Sequence, residues 1–235
     1  MSETPMLDPM EAYALWAAEY PPHAHNALMQ AEERALLSLL PRDLGGKAVC
    51  DAGCGSGRYL LHAAARGARP LLGVDLSEAM LCRAREELAR QLTPEDCAAI
   101  PLVQASLEAL PLSDAWADIT LCGLTLGHLP ELDAPLAELR RITRPGGVIL
   151  CSDLHPIGQE LGWQRTFKVA GERYAVRHIW HTRAVWEETC RRVGLRVRCV
   201  LEPHLAVADI PRDARFDFRA MKVPVALVLE LEREQ

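Results

Sequence analysis

The sequence has no apolar run long enough to cross a membrane and no excess of basic charge. Its longest apolar stretches, such as residues 224–229, fall far short of the roughly 20 residues that a membrane-spanning helix needs. The formal net charge is −6, so no overall positive field would attract nucleic acid or an anionic membrane. The first residues also lack the basic and apolar segments of a signal peptide. We therefore expect a cytoplasmic protein that binds neither nucleic acid nor membrane.

Metal-binding cysteine patterns are absent as well. None of the eight cysteines forms a Cys-x-x-Cys pair, and no Cys/His block has zinc spacing. Cys50 and Cys151 lie in apolar, strand-like runs, where a thiol behaves as a small buried hydrophobe. His23 and His25 are close in sequence, but no third ligand is obvious nearby. We expect reduced, structural cysteines and no metal.

What the sequence does contain, from residue 47 onward, is a repeated pattern of strand, turn and helix. The predicted strands are residues 47–51, 70–75, 100–104, 118–122 and 148–153. The predicted helices between them are residues 56–66, 77–90 and 132–142. This alternation predicts an α/β fold, with a mostly parallel sheet covered by helices on both faces. The 235 residues suit a single domain, 1–235.

The two flanking regions follow a different pattern. The first forty residues predict two helices, 12–19 and 26–40, separated by Pro21-Pro22. After the fifth strand, the sequence predicts a hairpin formed by residues 166–169 and 173–180. A helix at 182–193 and two last strands, at 196–201 and 223–231, are predicted to follow it. We expect residues 1–44 to form an N-terminal helical lid, and residues 154–183 and 203–222 to be insertions on the substrate side.

The strongest motif is the glycine-rich turn Asp51-Ala-Gly53-Cys-Gly55-Ser-Gly57, between the first strand and its helix. Its glycines let the backbone approach a ligand closely, and the helix N-terminus offers unpaired N–H groups. Asp75 ends the second strand roughly twenty residues later, where a carboxylate can accept ribose hydroxyls. Arg58 stands where the dinucleotide fingerprint requires its third glycine, and no Tyr-x-x-x-Lys motif occurs. These two features disfavour a nicotinamide dehydrogenase.

Further motifs extend the pattern, namely Gly73-Val-Asp75-Leu-Ser-x-x-Met80, Leu110-Pro111, Asp118, His128-Leu-Pro130 and Arg144-Pro-Gly-Gly147. Together with the glycine turn, they resemble class I S-adenosylmethionine-dependent methyltransferases of the ubiquinone/menaquinone C-methyltransferase-like (type 11) group. The resemblance covers roughly residues 13–153. It implies a Rossmann-like seven-stranded sheet in the order 3-2-1-4-5-7-6 with strand 7 antiparallel. It also implies transfer of a methyl group to O, N or C of a small molecule, with S-adenosylhomocysteine as product.

The resemblance also implies which residues bind the cofactor. These are Tyr20, Asp51, Gly53, Gly55, Asp75, Leu76, Met80, Ser106, Leu107 and Cys122. The turn residues correspond to positions that hold the methionine end, Asp75 to the ribose position, and Leu76 and Met80 to adenine contacts. Relatives have an acid where Ser106 stands, so backbone contacts are expected there. Cys122 matches a position that touches the cofactor through its main chain.

Three residues are candidates for the chemistry: His128 just after the fourth strand, and Asp153 and His155 at the end of the fifth. Adjacent parallel strands end at the same edge of a sheet, so these side chains are expected to meet there. We predict His128 as a general base, with Asp153 or His155 orienting it or sharing its role. Alignment without a base, and a non-catalytic cofactor-binding sensor or partner subunit, remain alternatives. The sequence does not distinguish a monomer from a homodimer.

Overall fold

The computed structural model describes residues 4–209 and 218–234. Its α-helices are α1 (Pro9–Trp16), α2 (Ala27–Leu39), α3 (Arg58–Ala65), α4 (Glu78–Gln91), α5 (Pro94–Ala98), α6 (Asp133–Ile142), α7 (Ile157–Glu160) and α8 (Arg183–Arg192). Its strands are β1 (Met6–Leu7), β2 (Val49–Ala52), β3 (Leu71–Asp75), β4 (Leu102–Gln104), β5 (Ala117–Gly123), β6 (Thr143–Leu154), β7 (Arg165–Val169), β8 (Glu172–Val176), β9 (Leu195–Leu201) and β10 (Ala226–Arg233). Short 3-10 turns lie at Ala17–Glu19, Leu126–His128, Val207–Asp209 and Phe218–Lys222.

The central sheet has seven strands in the order β4-β3-β2-β5-β6-β10-β9. Neighbouring strands from β4 to β6 are parallel, whereas β10 runs antiparallel to both β6 and β9. Counted along the chain within this sheet, the order is 3-2-1-4-5-7-6 with strand 7 antiparallel. The predicted α/β fold and sheet order are therefore confirmed. As a result, β2, β3, β5 and β6 all end at one edge of the sheet.

The hydrophobic core lies on both faces of this sheet. On one face, Leu136 and Leu139 of α6 and Trp186 of α8 belong to one fully buried apolar cluster. On the other face, Leu36 of α2 and Leu60 of α3 belong to a second. A parallel sheet covered on both faces has strands that are apolar along their whole length, and every residue of β2 is buried. The core therefore holds rigid the strand ends that carry the predicted site.

The two largest differences from the predicted element boundaries are in β6 and β8. The turn at Arg144-Pro-Gly-Gly147 lies inside β6, because Thr143 pairs with Ala117 and the register then shifts before the next pair. The second hairpin strand, predicted to reach Trp180, ends at Val176. Its continuation turns toward the sheet edge instead, where the Ile179 N–H donates to the Gly127 carbonyl at 2.7 Å. Helices α5 and α7 and strand β1 were not predicted.

The predicted hairpin is confirmed, and it forms a small separate sheet with the start of the chain. The strand order of this sheet is β1-β8-β7, with β1 parallel to β8. Helix α1 packs against the same hairpin, where the Trp16 ring stacks on Phe167 with ring centres 4.7 Å apart. The N-terminal segment and the hairpin are thus one structure. We call this structure, α1 with β1, β7 and β8, the cover.

The predicted lid of residues 1–44 is divided in two by the structure. Only its first part belongs to the cover, whereas α2 packs on the central sheet against β6 and β10. Glu32 of α2 is fully buried and accepts hydrogen bonds from Tyr59 and Ser152, and its other oxygen lies 3.0 Å from Arg58. A lid role therefore remains a prediction for the first part alone. Of the predicted insertion at 203–222, residues 210–217 lie outside the described residues.

All eight cysteines are free, and five of them are buried. In the ranges 4–209 and 218–234, no helix combines the length and apolarity that crossing a bilayer requires.

Replacing Glu32 by alanine should show that α2 is anchored. The Glu32→Ala change leaves the buried Arg58 without its inner carboxylate, and breaking a buried pair costs about 3–5 kcal/mol. We expect a loss of that size in the free energy of unfolding, measured by urea denaturation. The matched control is Glu33→Ala, which removes the outer carboxylate of Arg58, on a side chain that is 22% exposed, and should cost less. Equal losses in the two variants would contradict the anchor.

Candidate functional site

The glycine turn after β2 can form only without side chains at its tight positions. Gly53 has φ of +79°, and a Cβ atom there would lie 2.5 Å from the Thr125 side chain. The N–H groups of Gly53 and Cys54 both donate to the carbonyl of Val74 in β3, at 2.7 and 2.9 Å. The turn is therefore fixed to the neighbouring strand, and α3 begins directly after it with its N-terminus at the sheet edge.

Asp75, the last residue of β3, connects this turn to the next helix. One carboxylate oxygen accepts from the Gly55 N–H and the other from the Ser77 N–H, each at 2.8 Å. Each oxygen has a second lone pair, so the carboxylate can still accept hydroxyl donors from a ligand. Burial raises the pKa of Asp75, while the backbone donors lower it.

A cavity of about 270 Å³ lies over these strand ends. Nine of the predicted site residues line it, namely Tyr20, Gly53, Gly55, Asp75, Leu76, Met80, Ser106, Leu107 and His128. Four others do not, namely Asp51, Cys122, Asp153 and His155. The structure thus brings most of the predicted residues to one wall and floor, and the cover closes the opposite side.

Two of the residues that miss the cavity, Asp51 and Cys122, are buried beside residues that line it. Asp51 is 1% exposed, and neither of its carboxylate oxygens has a hydrogen-bond partner among the described residues. Burial raises the pKa of Asp51 to about 7. Cys122 is fully buried and directed toward Cys151 on β6, and the following residue, Gly123, lines the cavity instead.

His128 lies at the polar end of the cavity with both ring nitrogens engaged. Its Nδ1 faces the carbonyl of Arg177 at 3.3 Å, and a carbonyl only accepts, so Nδ1 carries the proton. Its Nε2 therefore accepts, from the Tyr13 hydroxyl at 3.0 Å and from an Arg165 N–H at 3.3 Å. Burial and the charge of Arg165 lower the pKa of His128 to about 3. In this arrangement the ring is a weak proton acceptor.

The structure does not join His128 to either of its predicted partners. The carboxylate of Asp153 lies 3.6 Å from Nε2 of His178, a buried histidine that the sequence analysis did not select. His155 turns away from the cavity because β6 ends at Leu154, and its Nε2 lies 3.3 Å from Glu202. The expected arrangement of three side chains is therefore corrected: a carbonyl orients His128, and Asp153 has a different histidine.

Tyr13 and Arg165, which line the polar end of the cavity, are not among the predicted site residues. Tyr13 is on α1, and its ring packs against His128 and under the guanidinium of Arg165. Arg165 begins β7 and also donates to the carbonyl of Leu124 at 3.1 Å. Tyr13 is seven residues before Tyr20, the tyrosine that the resemblance selected, so its closeness in sequence is the one signal that could have found it. No local signal marks Arg165, because its position depends on how the hairpin packs against residues far away in sequence.

Gly127 makes room for His178. A Cβ atom on Gly127 would lie 2.0 Å from Cε1 of His178 and 2.7 Å from the Asp153 carboxylate. Both ring nitrogens of His178 are buried without a hydrogen-bond partner among the described residues. The space beside His128 that a side chain at position 127 would occupy is thus filled by a histidine from the region after the hairpin.

Comparisons with known proteins agree with this geometry. A family model described as a methyltransferase domain matches residues 50–151. A malonyl-[acyl-carrier protein] O-methyltransferase of Serratia marcescens is 42% identical over 132 residues, 55% of this chain and 47% of that protein. A solved S-adenosylmethionine-dependent methyltransferase of Mesorhizobium loti is 26% identical, with a TM-score of 0.67 over 86% of this chain and 98% of that one. The matched part of the chain, residues 50–151, is a methyltransferase domain of the class I S-adenosylmethionine-dependent type.

This match confirms the resemblance drawn from the motifs, and the cofactor of the family is S-adenosylmethionine. The chain spans about half the length of the curated relatives it matches. One such relative is a tRNA U34 carboxymethyltransferase of Pseudoalteromonas translucida, 32% identical over 145 residues, which are 60% of this chain and 42% of that protein. The family model ends before the hairpin, so the cover lies outside the matched residues.

The residues of the cavity fit this cofactor. The glycine turn forms a cradle that Cβ atoms would fill, and Asp75 lines the same cavity with a second lone pair on each carboxylate oxygen. Leu76, Met80 and Leu107 supply an apolar wall suited to a base. The described residues contain no cluster of three or more His, Cys, Asp or Glu side chains that could hold a metal ion.

Placing a side chain at position 127 tests the packing of His178. We expect Gly127→Ala to lower the free energy of unfolding by about 1–3 kcal/mol, the usual cost of overpacking. His178→Ala in the same chain should restore much of this loss, with a coupling of about 0.5–3 kcal/mol in the double-mutant cycle. Additive effects of the two changes would mean that His178 does not occupy this space.

The buried carboxyls predict an unusual pH dependence of stability. Burial raises the pKa of both Asp51 and Asp153 to about 7, whereas an unfolded aspartate titrates near 4. Between these values the native state binds more protons, so the free energy of unfolding should fall as pH rises from about 4 to about 7. Asp51→Asn and Asp153→Asn should each flatten this fall in urea titrations at several pH values. The exposed control, Asp43→Asn, should leave it unchanged.

Proposed function

We propose that this chain transfers a methyl group from S-adenosylmethionine to a small molecule bound in the cavity. One observation carries the proposal: a single cavity joins the glycine turn and Asp75 to a polar end formed by Tyr13, His128 and Arg165. A donor on the first side and an acceptor on the second would share one enclosed space. Relatives named as methyltransferases support the same activity.

Each part of the cavity has a role in this proposal. The turn glycines and Asp75 would hold the methionine and ribose parts of the cofactor, with Leu76 and Met80 against the adenine. S-adenosylmethionine supplies a methyl group on a positively charged sulfur, which is already activated toward nucleophiles. The chain's contribution is then to align the acceptor and to exclude water. Tyr13 of the cover, and Tyr20 a few residues after α1, are placed to do both.

No observation favours the alternative of a non-catalytic cofactor-binding protein. The cavity has room lined by Tyr13, His128 and Arg165 for an acceptor, in addition to the glycine turn and Asp75 for the donor. A tRNA acceptor, as in the name of one relative, is not our proposal either. The net charge of −6 and the enclosure of the site by the cover favour a small molecule.

Cofactor binding is the first test. In Asp75→Ala the ribose hydroxyls lose a charged acceptor, so the affinity for S-adenosylhomocysteine should fall about 10- to 100-fold by calorimetry, from about 1.5–3 kcal/mol per hydrogen bond to a charged group. The matched control Glu78→Ala removes an exposed acid three residues away and should bind normally. Unchanged affinity in a folded Asp75 variant would exclude the ribose role. Tight binding of NADH by the wild type would contradict the family's cofactor.

A further inference from the structure

Arg165 is a cation at the acceptor end of the cavity with no carboxylate paired to it. Its guanidinium donates to the Leu124 carbonyl and to Nε2 of His128, and it lies 5.5 Å from the centre of the Tyr13 ring. None of these partners is negatively charged. Among the residues the structure describes, Arg165 takes part in no salt bridge, whereas Arg58, which lines the same cavity, is held by two glutamates.

Asp153 supplies an opposite charge for Arg165, but only a weak one. Its charge acts on Arg165 from beyond salt-bridge distance. Burial raises the pKa of Asp153 to about 7, so the group carries only part of a charge at neutral pH. A desolvated cation without a partner is costly, and proteins retain such groups where a ligand supplies the opposite charge.

The cofactor makes the need for an anion greater. Its sulfur is positive, and two cations in one low-dielectric cavity repel each other. An anion between the sulfur and Arg165 would satisfy both. The ring nitrogen Nε2 of His128 faces this end of the cavity, but it already accepts hydrogen bonds from Tyr13 and Arg165. The lowered pKa of His128 also makes the ring a weak base. The site is therefore suited to an acceptor that arrives already deprotonated.

We propose that the acceptor is a carboxylate, held by the guanidinium of Arg165 and methylated on oxygen. This inference rests on the proposed function. A carboxylate is ionised at neutral pH, and its planar pair of oxygens matches the guanidinium fork. A carboxylate oxygen forms the new bond to the methyl carbon while the sulfur–methyl bond breaks and its electron pair stays on sulfur. The anion and the sulfonium become a neutral ester and a neutral thioether, so no proton is removed and no base is needed.

The cofactor also carries a carboxylate, on its methionine end, and the variants below separate the two sources. In Arg165→Met the affinity for S-adenosylhomocysteine should stay within about threefold of the wild type, because that product carries the cofactor's carboxylate but no acceptor. Sodium malonate, compared with sodium chloride at equal ionic strength, should raise the thermal midpoint of the wild-type complex with S-adenosylhomocysteine, but not that of Arg165→Met. The control Arg173→Met removes an exposed arginine of the same hairpin and should behave as the wild type.

The chemistry of the product gives an independent readout. Tritiated methyl groups would be transferred from S-adenosylmethionine to a mixture of carboxylic acids and to a metabolite extract, followed by treatment with alkali. Methyl esters release volatile tritiated methanol under alkali, whereas methyl ethers, amines and C-methyl groups do not. We expect volatile label with the wild type and with Arg173→Met, and at least about 100-fold less with Arg165→Met, as loss of a charge-assisted pair predicts.

The outcomes separate this inference from the proposed function. Alkali-stable label would overturn the carboxylate acceptor and leave methyl transfer standing. Loss of S-adenosylhomocysteine affinity in Arg165→Met would assign the guanidinium to the cofactor and overturn the inference. Cofactor binding without transfer to either mixture would overturn it too. Absence of both cofactor binding and transfer in the wild type would instead contradict the proposed function itself.

Discussion

The site depends on the parallel pairing of β2 between β3 and β5. Because three adjacent strands run in the same direction, their last residues, Ala52, Asp75 and Gly123, meet at one edge. At that edge the backbone must turn away from the sheet. Two N–H groups of the turn after β2 donate to the Val74 carbonyl and hold the turn in place. The cofactor cradle is thus a consequence of how the sheet ends.

The acceptor end is built differently, from the cover. Tyr13 and Arg165 come from segments on either side of the family's matched residues, and they meet over His128. Their contacts use both the hydroxyl and the guanidinium as donors to a single nitrogen. The region after the hairpin supplies His178, which fills the space that Gly127 leaves open beside His128.

Much of the cofactor side could be predicted from sequence, because its determinants are local. The glycine turn and Asp75 belong to short motifs, and alternation of strands and helices is sufficient to order the sheet. The acceptor side could not be predicted in the same way. Tyr13 and His128 are 115 positions apart in the chain, and Asp153 finds His178 rather than His128. Such contacts follow from packing between segments, which a linear pattern does not record.

The cover is made from two distant parts of the chain that share backbone hydrogen bonds. The Ala175 and Arg177 N–H groups donate to the carbonyls of Pro5 and Leu7, so β1 has no sheet to join until β8 exists. The amino-terminal segment and the hairpin therefore depend on each other for their backbone pairing, whereas the glycine turn and Asp75 depend on neither. Exchanging acceptor preference between relatives would then require transplanting the amino-terminal segment and the hairpin together, since either alone would meet a foreign partner strand.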